Sequence, residues 1–107
     1  MRMYLTGLLF ILIIAIFACQ STNEGKIGEG EKLFKTYCVN CHGIDGSLMT
    51  NGAKDLRFSV LNLDERTLVI SQGRNAMTSF KNTLTSGQIQ AVAKFTIQLK
   101  DSTIHAR

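Results

Sequence analysis

Proline and tryptophan are absent from this chain of 107 residues, and it has only two histidines and three cysteines. Without proline no loop is stiffened by a pyrrolidine ring. Turns must be set by glycine and by small polar residues instead. Charge of one sign is also scarce. Twelve Lys and Arg stand against eight Asp and Glu, a formal +4, which is too weak a bias for a nucleic-acid binder and reads as a solvated surface of mixed charge. No segment alternates apolar and polar residues at the strand period, so a βαβ organisation is excluded, and no internal repeat is present.

The longest apolar run, Leu5 to Ala18, is broken only by Thr6 and Gly7 and follows a basic start at Arg2. It is too short to span a bilayer comfortably and has the profile of a secretory signal over residues 1–18. Much of the positive mean hydropathy lies there. The run ends Ile16-Phe17-Ala18-Cys19, which resembles the box in which bacterial lipoproteins are cleaved and lipidated. Cys19 is therefore the expected lipidation site. The alternatives are a spare thiol after an ordinary cleaved signal, a disulfide partner, and an uncleaved N-terminal anchor helix. Gln20 to Lys26 is polar, so residues 19–27 read as a flexible tether, residues 28–101 as the one folded domain, and residues 102–107 as a frayed tail.

Within that domain, Cys38-Val39-Asn40-Cys41-His42 carries the most specific chemistry. C-x-x-C-H is the pattern of covalent haem attachment. Residues three apart on a helical turn point the same way, so both sulfurs reach the two vinyl groups on one haem edge, and the histidine is carried under the ring to ligate the iron. The same C-x-x-C also serves redox dithiols and zinc sites. A closed zinc site needs a fourth ligand, and the only other His and Cys, His105 and Cys19, lie far off near the chain ends. A redox dithiol belongs after a strand, and no strand pattern precedes it. One haem c is the expected cofactor, and it would add a large apolar piece to a core that so short a chain struggles to build alone.

The rest reads as helices around that motif. Gly30, Leu33, Phe34, Tyr37 and Cys38 share one helical face over Gly28 to about Val39. Gly30 on that stripe either admits a close helix neighbour or marks a frayed start. Gly43 to Lys54 is loop chemistry, with Gly43, Gly46 and Gly52 free to take positive φ. Asn62 as N-cap, Glu65 three residues on and Gly73 after Gln72 frame a second helix. Thr85-Ser86-Gly87-Gln88 is a capping-box pattern for a third, whose apolar side is Ile89, Val92, Phe95 and Leu99.

A haem iron with one protein ligand has an open face, and its second ligand decides much of the function. The candidates are Met49, Met77 and His105. Met77, in the loop Gly73 to Phe80, is preferred. Met49 lies too soon after His42 to reach the opposite face easily, and His105 sits in the tail.

Taken together, the chain resembles a class I c-type cytochrome of the small bacterial monohaem kind over Gly28 to Leu99. The resemblance rests on Gly30 through Phe34 ahead of C-x-x-C-H-G, on Gly52-Ala53-Lys54-Asp55-Leu56, on Gly73 through Phe80, and on Leu84-Thr85 opening the last helix. It implies an all-α cytochrome c fold, three or four short helices around one covalently attached haem. In that fold the N- and C-terminal helices cross near a right angle at Gly30 and Phe95. It implies haem held by Cys38 and Cys41, His42 as proximal ligand and Met77 as distal ligand. Thr78 and Ala53-Lys54 stand where such proteins usually have proline; the carbonyl that orients the proximal histidine remains available without it. The expected function is single-electron transfer, not enzymatic catalysis. The protein would be a monomer anchored by lipid on the periplasmic side of a bacterial membrane, with redox partners such as a terminal oxidase or dehydrogenase complex. Lys35, Lys54 and Lys81 are candidates to steer acidic partners. The alternative is a haem enzyme or gas-binding sensor with a labile or open sixth position.

Overall fold

The computed structural model describes residues 23–105, with side chains over 28–100. The signal segment and Cys19 lie outside the described residues. The described residues form four α-helices: α1 (Asn23–Tyr37), the single turn α2 (Val39–His42), α3 (Leu63–Gln72) and α4 (Ser86–His105). Short 3-10 turns at Thr50–Gly52 and Leu56–Phe58 punctuate the loop between α2 and α3. Among the described residues there is no strand, only an isolated bridge between Arg74 and Met77. The fold is all-α, as expected.

Two boundaries differ from the sequence reading. Helix α1 begins at Asn23, so residues 23–27 of the expected tether are helical, and α4 runs through residues 102–105 of the expected tail. Once packing has nucleated a helix, adding residues at its end costs little, so polar residues join without apolar periodicity. None of the helices among the described residues is long and apolar enough to cross a membrane.

Helix α4 is the centre of the packing, touching α1, α3 and the turn at Leu56–Phe58. Its buried side is Ile89, Val92, Ala93, Thr96 and Leu99, and Phe34, Ile70 and Leu84 complete the core. Phe34 and Val92 are almost wholly enclosed; each such side chain contributes roughly 1.5–3 kcal/mol by leaving water. Gly30 is in the close-approach role. A Cβ there would run into the carbonyl of Ala91 and sit 3.2 Å from Cβ of Phe95. Four residues on, Phe34 and Phe95 meet with ring centroids 5.3 Å apart and planes tilted by 55°. The missing side chain lets α1 and α4 touch backbone to backbone, and the aromatic pair locks that contact.

Both capping boxes form. The Asn62 side chain accepts from Glu65 N at 3.0 Å while Glu65 accepts from Asn62 N at 2.8 Å. Thr85 and Gln88 exchange the same pair of bonds at 3.2 and 3.0 Å. Each box satisfies two backbone donors that a helix start leaves unpaired.

Candidate functional site

The motif sits where α1 gives way to α2. Cys38 N still donates to Phe34 O at 2.9 Å, but Cys38 has φ −113° and ψ −26°, and the chain restarts with Cys38 O accepting from His42 N at 2.9 Å. Cys38 and Cys41 are therefore carried on nearly continuous helix. Both are half-buried, and neither is in a disulfide. Burial, reinforced by Cys41 nearby, pushes the Cys38 thiol up to about 11. A redox dithiol needs the opposite shift, so this thiol stays protonated at neutral pH and does not behave as one. Among the described residues no cluster of three or more His, Cys, Asp or Glu is arranged to hold a metal.

Gly43 ends α2 at φ 75°, and a Cβ there would lie 2.9 Å from Cβ of Leu48. This turn sends the chain into a loop that comes back under His42. The imidazole is buried, and its Nδ1 donates to the carbonyl of Lys54 at 3.0 Å. Because a carbonyl only accepts, the bond places the proton on Nδ1 and leaves the Nε2 lone pair open. Among the described residues nothing engages Nε2. Burial lowers the His42 pKa, opposed by the Lys54 bond, which favours the neutral ring that a metal requires.

The Lys54 carbonyl is held in place by its neighbours. Arg57 grips Asp55 in a two-pronged pair, Nη2 to Oδ2 at 2.7 Å and Nε to Oδ1 at 3.0 Å, while Asp55 Oδ1 also accepts from Arg57 N. Arg57 reaches Asp45 on the other side of the loop at 3.8 Å, and Leu56 N donates to Gly46 O at 2.9 Å. The guanidinium and its hydrogen bonds hold the Asp55 carboxyl below the usual range, and Ser47 does the same for Asp45.

Met77 is half-buried and packs on the same core cluster as Cys38. Met49, the other loop candidate, is 64% exposed, and the side chain of His105 lies outside the described residues. The Met77 turn is tied at its neck, with Arg74 N to Met77 O at 3.2 Å and Met77 N to Arg74 O at 3.0 Å around Asn75 at φ 55°. Its far arm is fixed to the end of α3: Phe80 N donates to Ile70 O, and the Ser71 carbonyl accepts both Lys81 N at 3.1 Å and Ser79 Oγ at 2.7 Å. The unpaired carbonyls of a helix end thus brace a loop that has no proline.

The donor chemistry fits a covalently held haem: two thiols on one helical turn, an oriented imidazole, and a thioether on a braced loop.

The sequence reading passed over Arg66, which is only 5% exposed. Its signal was available, since Leu63, Arg66 and Ile70 fall at i, i+3 and i+7, the apolar stripe of α3. It passed over Arg57 and Asp45 too, because nothing in spacing alone shows that a loop closes on itself.

A profile of the family described as Cytochrome C oxidase, cbb3-type, subunit III matches residues 25–95. The chain is 29% identical over 105 residues to a cytochrome c6 of Gloeothece citriformis (strain PCC 7424), spanning 92% of this chain and 94% of that protein. It is 34% identical over 74 residues to a cytochrome c6 of Leptolyngbya boryana, spanning 64% of this chain and 86% of the relative. A cytochrome c6-like protein of Nostoc sp. (strain PCC 7120 / SAG 25.82 / UTEX 2576) is 27% identical over 95 residues, spanning 83% and 84%.

Proposed function

The chain belongs to the c-type cytochromes, in the family described as Cytochrome C oxidase, cbb3-type, subunit III, and on that premise we propose that it carries single electrons through an iron ligated by His42 and Met77. As a small class I c-type cytochrome it holds one covalently bound haem c and serves as an electron carrier. When bound, haem c supplies an iron that takes up one electron and releases it again. Cys38 and Cys41 would hold it as thioethers. His42 would present Nε2 to the metal, and the Lys54 carbonyl at Nδ1 fixes the tautomer and ring orientation and raises the basicity of the ligating nitrogen. Met77 would offer its thioether from the other loop, a pairing that suits electron transfer and raises the potential. The tie between His42 Nδ1 and the Lys54 carbonyl is the observation that carries this reading, because it fixes the tautomer and turns Nε2 into the free lone pair that a metal needs.

The proposed partners are redox proteins such as a terminal oxidase or dehydrogenase complex, reached from a lipid anchor at Cys19 on the periplasmic side of the membrane. Lys54 and Lys81 are exposed and available to acidic partners, whereas Lys35 is engaged by Glu31 at 2.7 Å.

Absorption spectra of the oxidised and reduced protein, with and without carbon monoxide, test the ligation. The expected result is low-spin iron in both states and no uptake of carbon monoxide, with Met77→Ala giving a high-spin ferric spectrum and a lower potential. Ready binding of carbon monoxide by the unaltered protein would replace this reading with a haem enzyme or gas sensor. Cys19→Ser should release the protein from the membrane fraction; retention there would sink the lipid anchor.

A further inference from the structure

Arg66 is a buried cation with no counter-ion among the described residues. Its Nε donates to Leu61 O at 2.9 Å, Nη1 to both the carbonyl and the hydroxyl of Thr96 at 3.0 Å, and Nη2 to Ser59 O at 3.1 Å. Every acceptor is neutral. Thr96 Oγ1 is itself committed, since it donates to Ala93 O at 2.8 Å. Among the described residues no carboxylate pairs with this guanidinium; the ion pairs present involve Lys35 and Arg57. Burial lowers the Arg66 pKa, yet an arginine stays protonated at any physiological pH.

Such a charge is expensive. Desolvating an ion costs several kcal/mol even after relaxation, and an apolar side chain at a buried ionic position is often the more stable choice. The stripe position between Leu63 and Ile70 would accept Leu or Met. Neutral carbonyls satisfy the N–H groups, but they do not cancel the charge. In the low-dielectric interior that uncancelled charge acts over a longer distance than a lysine on the surface, which water and salt screen.

We infer that Arg66 is a potential-setting residue: its unpaired, buried positive charge favours the reduced state of the redox centre that this small domain encloses. This rests on the electron-carrier reading above. On reduction the site gains one electron from a reduced partner, on oxidation it loses one to an oxidised partner, and no bond is made or broken. The centre is therefore one negative charge richer in one state than in the other. A fixed cation buried in the same small domain stabilises the electron-rich state and raises the midpoint potential. The role as a strut between the 59–61 loop and α4 is separable, because it depends on hydrogen bonds and not on net charge.

The test is a spectroelectrochemical titration of the full-length haem-loaded protein, with a thermal unfolding midpoint measured beside it. R66M and R66Q should shift the midpoint potential downward with an unchanged ligation spectrum, and R66K should restore most of the shift. T96D keeps Arg66 and puts a carboxylate where the hydroxyl accepted from it; its potential should fall relative to T96N, which matches its size without charge. This pair decides the matter if R66M and R66Q fail to load haem. Equal potentials for T96D and T96N, or an R66K potential as low as that of R66M, would overturn the inference while leaving the carrier reading intact. A wild-type protein that does not cycle reversibly by one electron would overturn both.

Discussion

His42 Nδ1 donates to the carbonyl of Lys54 at 3.0 Å, across twelve residues of chain, and the acceptor is backbone, not side chain. Lys54→Ala therefore keeps the bond. Its unfolding midpoint and visible spectrum should match those of the unaltered protein, with a stability change within about 0.5 kcal/mol. Arg57→Ala removes the grip on Asp55 and Asp45 and should lower the unfolding midpoint more than Lys54→Ala does. The opposite order in calorimetry would show that the loop is held some other way.

Gly30→Ala places a methyl against the Ala91 carbonyl and Phe95. The backbones of α1 and α4 must separate, at a cost of roughly 1–3 kcal/mol. For a domain of this size each kcal/mol corresponds to about 4–8 °C in the unfolding midpoint. Gly28→Ala, on the same helix with open space around it, is the control and should be neutral or slightly stabilising.

Gly73 has φ 74° and ψ 168°, a region almost reserved for glycine, and a Cβ there would lie 2.5 Å from the Met77 carbonyl and 2.9 Å from Ser79 N. Gly73→Ala should cost about 1–3 kcal/mol in backbone strain alone. The displacement falls on the Met77 turn, so carbon monoxide uptake should rise along with it. Ser79→Ala, which removes the 2.7 Å brace to the Ser71 carbonyl, should give a milder version, about 1 kcal/mol. A Gly73→Ala protein that is destabilised yet still refuses carbon monoxide would separate the turn from ligation.

Asp55 has a folded pKa below its usual 3.8, held down chiefly by the Arg57 hydrogen bond. A depressed carboxylate contributes stability that is fully present above its unfolded pKa and is lost as pH falls through the folded one. Asp55→Asn keeps an oxygen acceptor but not the charge. The gap in unfolding midpoint between the two proteins should stay level from neutral pH down to about 4 and close below that. A gap that changes between pH 5 and 7 would assign it to another group.

Local signals were readable where a short stretch is sufficient. Asn62 with Glu65 and Thr85 with Gln88 announce helix starts because the capping bonds join residues three apart, and α3 occupies the expected span through Gln72. Gly43 announced a positive φ for the same local reason. The boundaries that drifted, at Asn23 and beyond Asp101, are helix ends, where propagation depends on a neighbour's packing and not on the residues added.

Legible in the residues alone was the chemistry on offer: two thiols and an imidazole at haem-attachment spacing, a methionine in a loop that follows a glycine, and helices that share apolar faces. Only the tertiary structure decided how that chemistry is held. Three relationships are invisible to spacing: the Lys54 carbonyl under His42, the Ser71 carbonyl bracing Ser79, and Arg66 enclosed by the carbonyls of Leu61, Ser59 and Thr96. The reason is physical. Backbone carbonyls carry no residue identity, so a site built on them leaves no mark in the sequence until the chain has folded and brought donor and acceptor together.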